Sequence, residues 1–125
     1  MIKNSKLVQK KFSELFIYFG FNKALGIWQK EYPTICINIV MAKEIRVTFF
    51  LQSNSVALLS NLLAKQKKIV FGTKKAFDQE ITSVSVLFND AMEFQEYFLR
   101  IMQFLNKYYK QNRKVYEAPK KERRY

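Results

Sequence analysis

Apolar side chains recur at Leu7, Val8, Phe12, Leu15, Phe16 and Phe19, the three-and-four spacing of one helix face. Residues 5–19 are therefore predicted helical, with Ser5 as cap and Gly20 as stop. Residues 24–30 show neither period. After Pro33 the β-branched run Thr34–Val40 predicts a strand, Ile45–Leu51 a second, and the break Met41–Glu44 a hairpin between them. Asn54 or Ser55 is placed to cap a helix over Val56–Lys67, with Leu58, Leu59, Leu62 and Leu63 along one side. Ile69–Phe71 reads as a short strand, Gly72–Glu80 as a polar, basic loop, and Ile81–Phe88 as a clearer strand. Asp90 caps a long final helix to about Tyr109, striped by Met92, Phe94, Phe98, Ile101, Met102 and Leu105.

From Lys110 the periodicity stops. Pro119 interrupts any continuing helix, and bases outnumber acids. The predicted order is thus α-β-β-α-β-β-α. It forms one α+β domain over residues 1–109, with a largely antiparallel sheet and helices packed on one face, followed by a basic C-terminal extension over 110–125. No internal repeat is visible.

Composition then narrows the function. An apolar share of 49% in 125 residues suits one domain with a core. Twelve Phe and seven Tyr against three Gly, with many Lys, Ile and Asn, look like coding from an A/T-rich genome such as an organelle's. The 22 Lys plus Arg against 10 Asp plus Glu leave +12, an excess normally offset by an anionic partner. Nucleic acid is the first candidate, an anionic membrane the second. No apolar stretch approaches the ~20 residues of a span, and no signal-like segment follows Lys3 and Lys6, so a protein soluble or bound to a soluble assembly is expected.

Catalysis finds little support. Histidine is absent, which removes the commonest general base and metal ligand. The single cysteine, Cys36, lies in an apolar run and is expected to be a buried hydrophobe. Glu93 and Glu96 share a helix face, but nothing accompanies them, and Gly72 stands alone where a phosphate loop would need several glycines. A non-enzymatic chain without cofactor or metal is expected.

The bases carry more. Lys65, Lys67, Lys68, Lys74 and Lys75 fall within an acid-free stretch that flanks Ile69–Phe71, a spread suited to several phosphates. Lys3, Lys6, Lys10 and Lys11 form a second group. Lys110, Arg113, Lys114, Lys120, Lys121, Arg123 and Arg124 form a third. Three such groups in one small chain favour RNA. Most aromatics sit at core spacing, with exposure expected only for Tyr108, Tyr109, Tyr116 and Tyr125, so recognition of shape and backbone is favoured over base stacking.

The segment Ala64–Phe77, AKQKKIVFGTKKAF, resembles the pattern TGQKPVVTRAKKAI of the universal large-subunit ribosomal protein L-five family, with Gln66, Lys67, Val70, Lys74, Lys75 and Ala76 identical. Downstream, SVSVLFNDAMEFQEYFLRIM is similar to GVKVTLRGERMYEFLDRLI, matching Val84, Val86, Glu96 and Arg100, with Tyr97 at a family aromatic. Upstream, FGFNKAL resembles FGYKNVM, and TICINIV resembles KVVLNMG, which places Asn38 on a family asparagine. The resemblance spans about residues 10–105. It implies a structural constituent of the large ribosomal subunit at the central protuberance, binding large-subunit rRNA and 5S rRNA beside neighbouring ribosomal proteins. It puts Asn38 and the Gln66–Lys75 segment on or near the RNA side. Where the family has SIAGFKLREGMPIG, this chain has only Ala76–Ser83, so weak or no contact with P-site tRNA is expected. The shortening and the composition together suggest a protist mitochondrial ribosome. A small phage or plasmid nucleic-acid-binding protein is the alternative.

Overall fold

In the first helix the apolar stripe and the stop signal act together. A computed structural model describes residues 6–52, 56–76 and 79–111, and in it α1 runs Lys6–Tyr18. It ends where Gly20 takes φ +85°; the Gly20 amide donates to Ile17 O at 3.0 Å and the Phe21 amide to Phe16 O at 2.9 Å, the paired bonds of a left-handed C-terminal cap. Two strands follow, β1 (Asn22–Ala24) and β2 (Ile27–Tyr32), turning at Leu25 and Gly26, both at positive φ. Next come β3 (Ile35–Met41), β4 (Ile45–Leu51), α2 (Val56–Leu63), β5 (Ile69–Ala76), β6 (Gln79–Phe88) and α3 (Ala91–Gln111).

The fold is α+β, with a six-stranded sheet in the order β1-β2-β3-β4-β6-β5. Every adjacent pair is antiparallel. Leaving β4, the chain passes through α2, lays β5 at the sheet edge, and returns with β6 between β4 and β5. Period-two alternation divides the sheet into two faces. One holds the buried Trp28, Ile37, Ile39, Val47, Phe49, Val84 and Val86. Phe12 and Phe16 of α1, Leu58 and Leu62 of α2, and Phe94, Phe98 and Leu105 of α3 complete that core. The opposite face carries Gln29, Cys36, Asn38, Arg46, Thr48 and Ser83, all half-buried or exposed, and among its described residues only Ser85 is buried. Ser85 shares a 2.9 Å hydrogen bond with Thr48.

Several expectations need correction. The order is α-β-β-β-β-α-β-β-α, because β1 and β2 occupy the stretch that showed no period. Alternation in β2 is hidden by Lys30, whose row faces the helices. It is half-buried there, and its ammonium donates to Phe19 O and lies 5.0 Å from the Tyr32 ring. Helix α2 stops at Leu63, four residues short of Lys67. The expected loop Gly72–Glu80 is mostly strand: β5 and β6 pair from Ile69↔Val86 to Ala76↔Gln79. Tyr109 is buried, not exposed, stacked on Tyr32 at 4.9 Å and sharing a 2.7 Å hydrogen bond with Thr34. Cys36 is half-buried on the sheet face away from the helices, and burial pushes its thiol pKa up. The caps expected at Asn54 or Ser55, and residues 112–125, lie outside the described residues.

Candidate nucleic-acid interface

The α2–β5 turn is shaped by the end of its helix. Leu58 and Leu62 are held in the core, Lys65 takes φ 65°, and the Gln66 amide donates to Leu63 O at 3.1 Å. A non-glycine residue in the left-handed region costs about 1–2 kcal/mol, so the surroundings must hold it. Two residues of α3 hold the helix turn just before it. Tyr97 donates its hydroxyl to Leu62 O at 2.5 Å, and Arg100 donates to Asn61 O at 3.1 Å. The Arg100 guanidinium also lies 5.4 Å from the Tyr97 ring. Burial pushes the Tyr97 pKa up, against the opposing effect of Arg100, so the phenol keeps its proton and stays a donor.

With its last turn pinned, the segment presents Lys65, Lys67 and Lys68 to solvent. They border a cleft of ≈ 580 Å³ between this turn, the β6–α3 turn and the start of α3. Arg100 lines the same cleft, and so do Asp90, Glu93 and Glu96. Asp90 is committed to the helix, accepting from the Met92 amide at 2.7 Å and the Glu93 amide at 3.3 Å. Glu96 and Arg100 stand one turn apart on α3, the spacing at which opposite charges interact. Four cations and three carboxylates line this open cleft, a mixed-charge lip with one cation in excess. Among the described residues, no group of three or more His, Cys, Asp or Glu is arranged to hold a metal ion, and no helix is long and apolar enough to cross a membrane.

The expected site residues do not all converge. Lys65, Gln66, Lys67 and Lys68 line one cleft. Lys74 and Lys75 sit near the far end of β5, opposite Ile81 and Glu80, about 20 Å along the strand from Lys68 at ~3.3 Å per residue. Asn38 is on β3, three strands from β5, about 14 Å away at ~4.8 Å per strand, and it accepts from the Cys36 thiol at 3.8 Å. It does not join the lysines. Lys110 is exposed in the last turn of α3, ten residues and about 15 Å beyond Arg100. Arg113, Lys114, Lys120, Lys121, Arg123 and Arg124 lie outside the described residues.

Three features escaped the sequence reading. Arg100 joins the lip from α3. Arg46 pairs in register with Leu87, whose amide donates to Lys68 O, so Arg46 and Lys68 flank Leu87 on the open sheet face. Phe71, on edge strand β5, is 64% exposed, far more than the half-buried Tyr108. Arg100 was legible as the i,i+4 partner of Glu96. The other two needed the strand order.

No family model matches the chain, and no curated protein matches it. Among solved structures, the crystal structure of YbjN from E. coli, a proposed transcription regulator, matches with a TM-score of 0.49 and 10% identity. The match covers 82% of this chain and 90% of YbjN. Identity that low transfers no residue role. The resemblance to the ribosomal L-five family is not upheld, because no model of that family matches the chain. Gln66–Lys67 follow a left-handed helix end, and Lys74–Lys75 lie on a sheet edge, where lysines commonly discourage strand addition. The supposed short tRNA loop, Ala76–Ser83, contains the paired ends of β5 and β6.

Proposed function

We propose that the protein is a non-enzymatic RNA-binding protein that docks on the phosphate backbone of a structured RNA through the lip formed by Lys65, Lys67, Lys68 and Arg100. The observation that carries the reading is the α2–β5 turn. Three exposed lysines follow a helix end whose Asn61 and Leu62 carbonyls are held by Arg100 and Tyr97, so the cations leave a fixed turn. The net charge of +12 supplies the long-range attraction. The amides of this turn and the guanidinium of Arg100 add donors suited to phosphate oxygens.

Organelle-like composition makes a mitochondrial ribonucleoprotein, such as the large ribosomal subunit, the assembly in which we place it. Placement at the central protuberance, and partnership with 5S rRNA or P-site tRNA, followed only from the overturned resemblance and go with it. Co-sedimentation of native protein with large subunits on a sucrose gradient tests the assembly.

Binding itself is tested by fluorescence anisotropy of the full chain with a labelled RNA hairpin across a salt series. About four phosphate contacts give a log–log slope near −3. The triple change Lys65→Gln, Lys67→Gln, Lys68→Gln should flatten that slope by about 2–3 while leaving thermal unfolding nearly unchanged. A flat salt dependence of the unmodified protein rejects the reading.

A further inference from the structure

We propose that the cleft between the α2–β5 turn and α3 takes one unpaired guanine nucleotide of an RNA, with Glu93 on the base and the surrounding cations on its phosphate. This rests on the RNA-binding reading above and names the base that the lip selects. Carboxylates repel phosphates, so a site for backbone alone gains nothing from them, yet three stand in this cleft among four cations. Asp90 is occupied by the amides of Met92 and Glu93. Glu93 and Glu96 are exposed, and among the described residues the carboxylate of neither takes part in a hydrogen bond or ion pair. With Tyr97 and Arg100 they stand at three- and four-residue spacing on one face of α3, which forms a wall of the cleft.

Position separates the two free carboxylates. Glu96 stands one turn from Arg100, whose guanidinium is held by Asn61 O and the Tyr97 ring. Glu93 lies a turn further back, seven residues and about 10 Å along the helix axis from Arg100. A nucleotide's base, sugar and phosphate together cover such a span. A phosphate held at Arg100, with Lys67 and Lys68 lining the same cleft, thus leaves its base at Glu93. The volume of ≈ 580 Å³ lies within the range of small-ligand sites, about 300–1,000 Å³, and suits one nucleotide, not a duplex.

Hydrogen-bond chemistry selects guanine over the other bases. An ionised carboxylate accepts at both oxygens and donates nothing. The Watson–Crick edge of guanine carries two donors side by side, N1–H and N2–H, a fork that matches those two oxygens. Adenine and cytosine each set their amino group beside a lone-pair nitrogen, which the second oxygen repels. Uracil sets its one N–H between two carbonyls. This edge of guanine is free only where the base is unpaired, which puts the target in a loop or bulge of the structured RNA.

The test measures binding of the full chain to two fluorescent RNA hairpins that differ at one loop position, guanosine or adenosine. The unmodified protein should prefer the guanosine hairpin on the order of tenfold, and inosine, which lacks the N2 amino group, should fall between. Glu93→Gln should abolish the preference and bind the adenosine hairpin more tightly, because a negative charge beside the phosphates is gone; that retained binding also shows that the fold survives. A Glu93 that only repels phosphate would gain on both hairpins alike and keep their ratio, which overturns the proposal. Loss of the preference in Glu96→Gln but not in Glu93→Gln overturns it too, and displacement of the guanosine hairpin by GTP at equal concentration would give the cleft to a free nucleotide instead of RNA. The lysine triple variant should weaken both hairpins and keep their ratio. If the unmodified protein shows no preference while the triple variant loses both hairpins, the guanine subsite is wrong and the phosphate lip stands. If the triple variant binds both as before, the RNA-binding reading itself has failed.

Discussion

The ring of Phe16 is fully buried and lies 6.1 Å from Phe12, 5.8 Å from Phe21, 5.3 Å from Trp28, 6.0 Å from Phe94 and 5.2 Å from Phe98. It joins α1, β2 and α3, so its neighbours cannot collapse into the space it leaves without moving three elements. Phe16→Ala is expected to cost about 3–5 kcal/mol in urea unfolding, and Phe16→Leu clearly less. Tyr32 shows a different residue-scale effect. Its hydroxyl donates to Asn106 Oδ1 at 2.9 Å, and burial, then the neighbouring Tyr109, push its pKa up to about 12 from 10.0. A raised folded-state pKa means the protonated phenol favours the fold. That contribution is whole below pH 10 and disappears as pH rises toward 12. Midpoints from pH 9 to 12 should fall more steeply for the native chain than for Tyr32→Phe; parallel curves would refute this. At this scale the candidate site was half legible. The lysines could be read, because charge needs no partner to be recognised. Phe71 could not, because a lone aromatic in an apolar triplet looks like core until the strand order puts it on an edge.

Helix α3 shows an element read almost complete from its local signals: Asp90 as cap, then an apolar stripe from Phe94 to Leu105, with the start within one residue of expectation; only Met92, expected in that stripe, is instead 69% exposed. Replacing the cap tests whether those signals also hold it in place. Asp90→Ala should cost about 1 kcal/mol and Asp90→Asn less, since the amide oxygen still accepts from the first turn; equal losses would show that charge matters more than the hydrogen bonds. Elements with clean periods were equally legible, β4 over Ile45–Leu51 among them. Those that failed had a physical reason. In β2 the helix-facing row is Trp28, Lys30 and Tyr32, and a lysine that satisfies its ammonium on Phe19 O breaks the expected alternation. The β1–β2 turn uses Leu25 at φ 52°, where a turn signal would be Asn or Gly, and so gave no warning. The second half of β5 is Thr73–Lys74–Lys75, polar because an edge strand needs no second apolar row and gains from charge that deters strand addition. Strand character there comes from pairing with β6, a non-local fact that composition does not carry.

At the scale of the whole molecule, a chain of net +12 pays for its charge as a free protein and gains from it in a complex. These two effects respond to salt in opposite directions, which allows them to be separated in one experiment. For the free protein, salt screens self-repulsion, so the melting temperature should rise between about 50 and 200 mM salt, where the screening length shortens to less than ~10 Å. With an RNA hairpin present at about 100 times its dissociation constant in the low-salt buffer, binding adds about 2.7 kcal/mol to the folded state. A slope of about −3 weakens affinity roughly 60-fold over that fourfold rise in salt. The ligand's contribution then drops to about 0.6 kcal/mol. At about 4 °C per kcal/mol for a domain of this size, the RNA-induced shift should fall from about 10 °C to about 2 °C. Differential scanning fluorimetry with and without RNA at the two salt concentrations measures both trends. A shift that survives the higher salt would mean that the complex is held by contacts other than neutralised phosphates, and the lip at Lys65, Lys67, Lys68 and Arg100 would lose its assigned role.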